Sequence, residues 1–285
     1  MSVASVLKKR RDAFLKGLVY LALSIICLIL ILPFLWMVST SLKSPDEIFL
    51  EIPRWLPEVL RVDNYTFIWT DTSYPKYLVN SLIVAMATTA IALVVASLAG
   101  YGISRFAFRG RRPFSLGLIV VQMFPAMLLV IPMFVIMRRL NLLNTYLSLI
   151  IAYGTFAFPF CTWMLKGYFD TIPEELEEAA IIEGCSRFQV LYKVVMPLAA
   201  PGLVAVALFA FVLAWQEYLF ALTFTRTEEM RTLTVGIALM QGQHGGVNWG
   251  QVMAGSVLAC IPGLVFFLYL ERYIVQGFTL GAIKE

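Results

Sequence analysis

The feature that most limits this chain is a run from Leu18 to Ser39 without a single charged residue. A run of that length and apolarity is long enough to cross the hydrocarbon core of a bilayer as a helix. Five further stretches read the same way, at about 78–104, 114–137, 147–165, 202–222 and 252–270. The hydrophobic share of 60% and the mean hydropathy of +0.82 lie far above soluble averages. The expected fold is therefore an all-α membrane protein with six transmembrane helices. Residues 1–17 are expected as a basic N-terminal tail, 18–270 as the transmembrane domain and 271–285 as a short C-terminal tail. The first span follows basic residues but is long and lacks a small-residue cleavage site, so it is read as a retained helix.

The basic residues orient this scheme. Segments assigned to the inside hold fourteen Lys or Arg: five in the N-terminal tail, four after the second span, three around residues 166–193 and two in the C-terminal tail. Segments assigned to the outside hold eight. That bias places both termini in the cytoplasm. The net charge of +4 fits basic inner loops, with no compact basic patch for nucleic acid. Cys27, Cys161, Cys185 and Cys260 are scattered without a CxxC, and His244 stands alone, so no metal site is expected. There is no GxxxxGK[ST] phosphate loop, and no nucleophile–base set stands out. The chain reads as neither an ATPase nor another enzyme.

The longest non-spanning run on the inner side is Ile172 to Pro197, read as a helix–Gly–helix hairpin. Thr171 and Glu174 have capping-box spacing, with Pro173 in the first turn. Glu174, Glu175, Glu177 and Glu178 oppose the positive end of the helix dipole. Gly184 supplies the stop and turn. Ser186 and Gln189 repeat the capping-box spacing. Phe188, Leu191, Tyr192 and Val195 then fall at i, i+3, i+4 and i+7, an apolar stripe ended by Pro197 and Pro201. Such a hairpin suits a groove on a partner protein.

These residues carry a resemblance. Glu178-Ala179-Ala180, three residues, Gly184, nine residues, then Val194-x-Met196-Pro197 resembles the EAA loop of ABC-importer permeases, where the pattern ends Ile-x-Leu-Pro. Val194 and Met196 depart from it but keep apolar bulk. The stretch Glu271 to Ala282 is also similar to that family's C-terminus, and the maltose-transporter type fits best. The resemblance implies a permease subunit of a prokaryotic inner-membrane importer, working by alternating access. It implies a cytoplasmic coupling hairpin at 172–197 that docks in a cleft of the ATPase subunit. Glu178, Ala179, Ala180, Gly184, Phe188, Leu191, Tyr192 and Pro197 would carry the coupling. Implied partners are two ATPase subunits, a second permease for which the resemblance favours a different chain, an extracytoplasmic solute-binding protein and the lipid bilayer, with no nucleic acid. No cofactor is expected in this chain; ATP and Mg would be bound by the partner subunits. The implied cargo is a sugar or oligosaccharide, with glycerol phosphate or another polyol-like solute as the alternative. A secondary transporter or facilitator is the rival from a different class.

Two outer features stay open. Glu217 is the only acidic residue well within a span, and an intramembrane carboxylate faces a partner or water. Trp215, Gln216 and Glu217 either line a sugar pathway or serve structure; the family commonly has Trp-Asn-Glu here. The loop at 241–250, with Gln241, Gln243, His244 and Asn248, resembles the family loop that reaches into the binding protein; otherwise it is an ordinary turn. Pro125, Pro132 and Pro159 are expected to bend their spans. Residues 41–77, rich in Pro, Trp and Tyr, are expected as an outer loop.

Overall fold

A computed structural model describes residues 3–240 and 247–281, with side chains over 14–240 and 247–273. Among the described residues the regular structure is helical throughout. The chain divides into two compact units, one of residues 1–71 with 240–257 and the other of residues 72–239 with 258–285.

The first unit is led by α1, Val3–Ser41. The helix begins at Val3, so the segment expected as a tail is helical, and it runs through Pro33 without ending. Side chains from Phe14 to Leu35 are all exposed. In water that apolar surface would be costly; in hydrocarbon it is the expected covering of a span. The far end of α1 is different: Ser39, Thr40, Ser41 and Lys43 are buried. The segment that follows, with α2 at Pro45–Ile48 and α3 at Asp63–Thr70, folds back on it. Asn64 donates to the Ser41 carbonyl at 2.9 Å, and the Ser41 and Tyr65 hydroxyls lie 2.6 Å apart. The Lys43 ammonium sits 4.3 Å from the centre of the Trp36 ring and donates to the Arg54 carbonyl. Burial holds its pKa below the usual lysine value.

The second unit is built on α4 (Tyr74–Arg105), α7 (Tyr146–Asp170) and α11 (Ala200–Trp215). Small residues let their backbones approach. A Cβ placed on Gly100 would lie 3.1 Å from the Lys166 backbone nitrogen and 3.2 Å from the Thr162 carbonyl oxygen, so any larger residue would press α4 and α7 apart by a few tenths of an ångström. Ala92, Ala96, Ala157, Cys161 and Ala210 extend the seam. A second cluster gathers Val84, Leu149, Tyr153, Phe211, Phe220 and Phe224.

Among the described residues four helices are each long and apolar enough to span: α1, α4, α7 and α14 (Trp249–Gly281). The helix α14 also takes up most of the segment expected as a C-terminal tail. Two more spans arise if bent pairs count as one each. In the first, α5 (Arg111–Gln122) and α6 (Ala126–Arg139) meet at 99°, with Pro125 at the break. Gln122 donates to the Phe156 carbonyl at 2.7 Å. Phe156 lies beside Thr155, whose carbonyl Pro159 has no N–H to serve, so the amide stands where α7 is weakened. In the second, Arg187–Leu198 and α11 meet at 83°. The helix α11 ends at Trp215, and a separate short α12, Leu219–Phe224, completes the stretch expected as one span.

The connection after α12 is pinned to α4. The Glu228 carboxylate accepts from Ser73 at 2.6 Å and Tyr77 at 3.1 Å. Asn80 donates to the carbonyls of Glu229 and Arg231 and accepts from Tyr146. The hydroxyl of Ser73, then that of Tyr77, holds the Glu228 pKa below the usual carboxylate value.

Candidate functional site

The segment Ile172 to Pro197 folds as a hairpin on the end of α4 and α7. Its first arm is α8, Glu174–Ile182, with Pro173 as N-cap. The expected Thr171 capping box is absent: Thr171 donates instead to the Tyr168 carbonyl at 2.7 Å. The hydroxyl closes the end of α7 through this local bond, and Pro173 leaves one fewer amide to cap. The arm ends as expected at Gly184, whose φ is +94°. Gly184 N–H bonds to the Ile181 carbonyl and Cys185 N–H to the Ala180 carbonyl, the paired 5→2 and 6→1 bonds of a Schellman stop.

The second arm starts with a true capping box. Ser186 accepts from the Gln189 N–H at 3.3 Å, and Gln189 accepts from the Ser186 N–H at 2.8 Å. One turn of α9, Arg187–Val190, passes into a wider π-type turn at Leu191–Val195, where Met196 N–H reaches back to the Leu191 carbonyl. A short α10, Met196–Leu198, carries Pro197 and leads into α11.

The expected stripe is split by this turn. Leu191 and Val195 are 4% and 0% exposed and belong to the core beneath the hairpin. Phe188 and Tyr192 are 65% and 45% exposed, with ring centres 5.8 Å apart. Leu191 is therefore corrected from a surface residue to an anchor of the hairpin. Glu178 and Ala179 face solvent, as do Pro197 and Gly184; Ala180 is half-buried and packs on the core. Two exposed apolar residues of the same hairpin, Leu176 and Ile182, were not singled out from the sequence. Ile182 falls at i+4 from Glu178 and i+3 from Ala179, which was the available signal.

The four carboxylates of α8 are not equivalent. Glu177 turns inward and its side chain is 3% exposed, opposite an Arg105 side chain 5% exposed. Arg105 Nε donates to Glu177 at 2.5 Å. Tyr101 donates to the other oxygen of Glu177 at 2.7 Å. Arg105 Nη2 also donates to the carbonyls of Phe169 and Ile172, both at 2.8 Å, closing the C-terminal end of α7. Ser104 bridges Arg105 to Asp170, and Lys166 pairs with Asp170. Arg187 of α9 lies over the Phe106 ring at 5.9 Å. Removing one partner from a buried pair of this kind costs about 3–5 kcal/mol. The sequence hint was that Glu177 shares a helix face with Ala180 and Ile181.

Residues 92–279 match the family described as the binding-protein-dependent transport system inner membrane component. The chain belongs to this family. The trehalose/maltose transport system permease protein MalG of Thermococcus litoralis is 37% identical over 277 residues, covering 96% of this chain and 99% of the relative. The sulfoquinovosyl glycerol transport system permease protein SmoH of Agrobacterium fabrum is 37% identical over 269 residues, covering 94% of each. A crystal structure of a bacterial ABC transporter involved in import of the acidic polysaccharide alginate matches with a TM-score of 0.77 at 24% identity, covering 93% of this chain and 98% of that one, a likeness of fold. As a family member the chain is a multi-pass permease subunit of an ABC-type importer, the kind of protein the hairpin motif implied.

In this permease the Trp215–Tyr218 stretch is a helix break. The Glu217 carboxylate accepts the N–H groups of Phe220 and Ala221 at 2.8 and 3.1 Å, so it closes the start of α12. Trp215 stacks on Phe211 and donates to the Ala259 carbonyl at 3.2 Å. Gln216 is exposed. The three do not converge: one carboxylate is occupied by backbone and one indole by a neighbouring helix. In the 241–250 loop, Gln241, Gln243 and His244 lie outside the described residues. Asn248 accepts from the Gln251 N–H at 3.3 Å at the head of α14.

Proposed function

We propose that this permease imports a sugar or oligosaccharide by alternating access, and that its 172–198 hairpin is the element through which partner ATPases drive it. The observation that carries the cargo assignment is full-length similarity, at 37% identity, to permeases whose names specify trehalose/maltose and sulfoquinovosyl glycerol. The hairpin supports the drive. It exposes the Phe188–Tyr192 pair on one arm, and Leu176 and Ile182 with Glu175 and Glu178 on the other, a surface both apolar and acidic. Such a patch suits a groove with apolar walls and a basic rim.

The assembly would hold a second permease, two ATPase subunits that bind ATP and Mg, and an extracytoplasmic solute-binding protein. Both termini and the hairpin would lie in the cytoplasm, consistent with the excess of Lys and Arg on those segments. ATP binding would favour one arrangement of the spans and hydrolysis the other. The cargo shifts that equilibrium only through its different affinity for the two arrangements. Ion-coupled carriers usually use intramembrane carboxylates or broken, repeated helices; the carboxylate of Glu217 is engaged in capping here.

The test is uptake into vesicles carrying the complete transporter, with labelled maltose, trehalose and glycerol phosphate offered in turn through the binding protein. ATP-dependent accumulation of a disaccharide is expected. Accumulation driven by an ion gradient without the ATPases would contradict the proposal.

A further inference from the structure

Between the hairpin and the spans lies one buried polar joint, and the function described above does not yet use it. Arg105 ends α4, Glu177 sits mid-way along α8, and Phe169 and Ile172 close α7. The Arg105 guanidinium makes three bonds to the other two segments, at 2.5, 2.8 and 2.8 Å. Tyr101, one turn earlier on α4, holds the second carboxylate oxygen at 2.7 Å. Apolar packing alone would let α8 slide over α4, because dispersion contacts have little direction. A forked guanidinium bonded to a carboxylate and two carbonyls fixes both distance and angle.

We propose that Arg105 and Glu177 are positioning residues for transport: they lock α8 to α4 and α7 so that displacement of the hairpin turns the spans instead of being absorbed at the joint. This rests on the proposal that the hairpin receives the ATPase stroke. Neither side chain is on the exposed docking face, so their loss should leave the ATPases attached. What it should break is the ratio of solute moved to ATP consumed.

The experiment uses the whole transporter in vesicles with its binding protein, and reads ATP hydrolysis and solute uptake on the same preparation. The variants are Glu177→Gln, Tyr101→Phe and Arg105→Lys. Glu177→Gln should keep the ATPases bound and hydrolysing while uptake per ATP falls at least about fivefold. Tyr101→Phe, which removes one hydroxyl and no charge, should lower the ratio less. Arg105→Lys keeps the charge without the fork and should fall between wild type and Glu177→Gln. Should Glu177→Gln not assemble, Tyr101→Phe carries the test alone. A short bis-methanethiosulfonate, which forms a disulfide with each thiol of Arg105→Cys and Glu177→Cys and releases methanesulfinate, should restore the ratio. Uptake and hydrolysis falling together at a constant ratio, or neither changing, overturns the inference. Wild-type vesicles with no ATP-dependent uptake would instead overturn the function proposed above.

Discussion

Phe188 and Tyr192 stand one turn apart on the open side of the hairpin, ring centres 5.8 Å from each other, while Leu191 between them is buried. The π-type turn at Leu191–Val195 produces that division. It lets one short segment anchor itself with two aliphatic side chains and offer two aromatic ones.

Replacing Phe188 with Ala should leave the fold intact, because the ring is 65% exposed. It should weaken ATPase binding by about 2 kcal/mol, roughly 30-fold in Kd, as expected for an aromatic anchor. Pull-down of the ATPase subunits across a concentration series measures it, with the thermal midpoint of the permease as control.

Leu191→Ala should behave in the opposite way. The side chain is 4% exposed and packs in the cluster with Val190, Val195 and Phe169. Truncating it should destabilise the hairpin by about 2–5 kcal/mol. Local proteolysis or hydrogen exchange across 172–198 would report that loss before any change in the spans.

The spans were legible because uncharged runs of that length have few alternatives. The hairpin was legible because Gly184 and the Ser186–Gln189 pair each satisfy helix ends in a recognisable way. The stripe misled because its spacing assumes 3.6 residues per turn, and the wider turn rotates Leu191 and Val195 away from Phe188 and Tyr192. Glu177 was hidden among three solvated neighbours; the face it shares with Ala180 and Ile181 was a weak hint, and its partner stands 72 positions earlier. The break at Gln216–Tyr218 has no Pro or Gly to announce it. It depends on Glu217 capping α12 and on Thr234 bonding to the Glu217 carbonyl at 2.7 Å.

That capping role makes a separate prediction. Glu217→Ala should cost about 0.5–2 kcal/mol, the usual range for a lost N-cap, and loosen 219–224. Glu217→Gln keeps an acceptor and should retain most uptake. A stable Glu217→Gln protein with uptake abolished would instead place this carboxylate on the solute path.

The connection between α12 and residue 232 should respond to acid. The Glu228 carboxylate is held below its usual value by the Ser73 and Tyr77 hydroxyls, so it binds fewer protons folded than unfolded. Its contribution is then fully present above the ordinary carboxylate value of 4.5, and is lost as pH falls through the lowered folded value. Thermal midpoints of wild type and Glu228→Gln should differ near neutral pH and converge as pH falls below the lowered folded value. A constant difference across that range would remove the clasp from the account.

The central claim is that the exposed aromatic pair meets a nucleotide-hydrolysing partner. Photo-crosslinking from a benzophenone amino acid at Tyr192, in the intact transporter in its membrane, addresses it most directly. An adduct with the ATPase subunit that changes in yield between ATP-bound and nucleotide-free states is the expected result. Adducts with lipid alone, or labelling of Tyr192 only by reagents confined to the outer face, would contradict it.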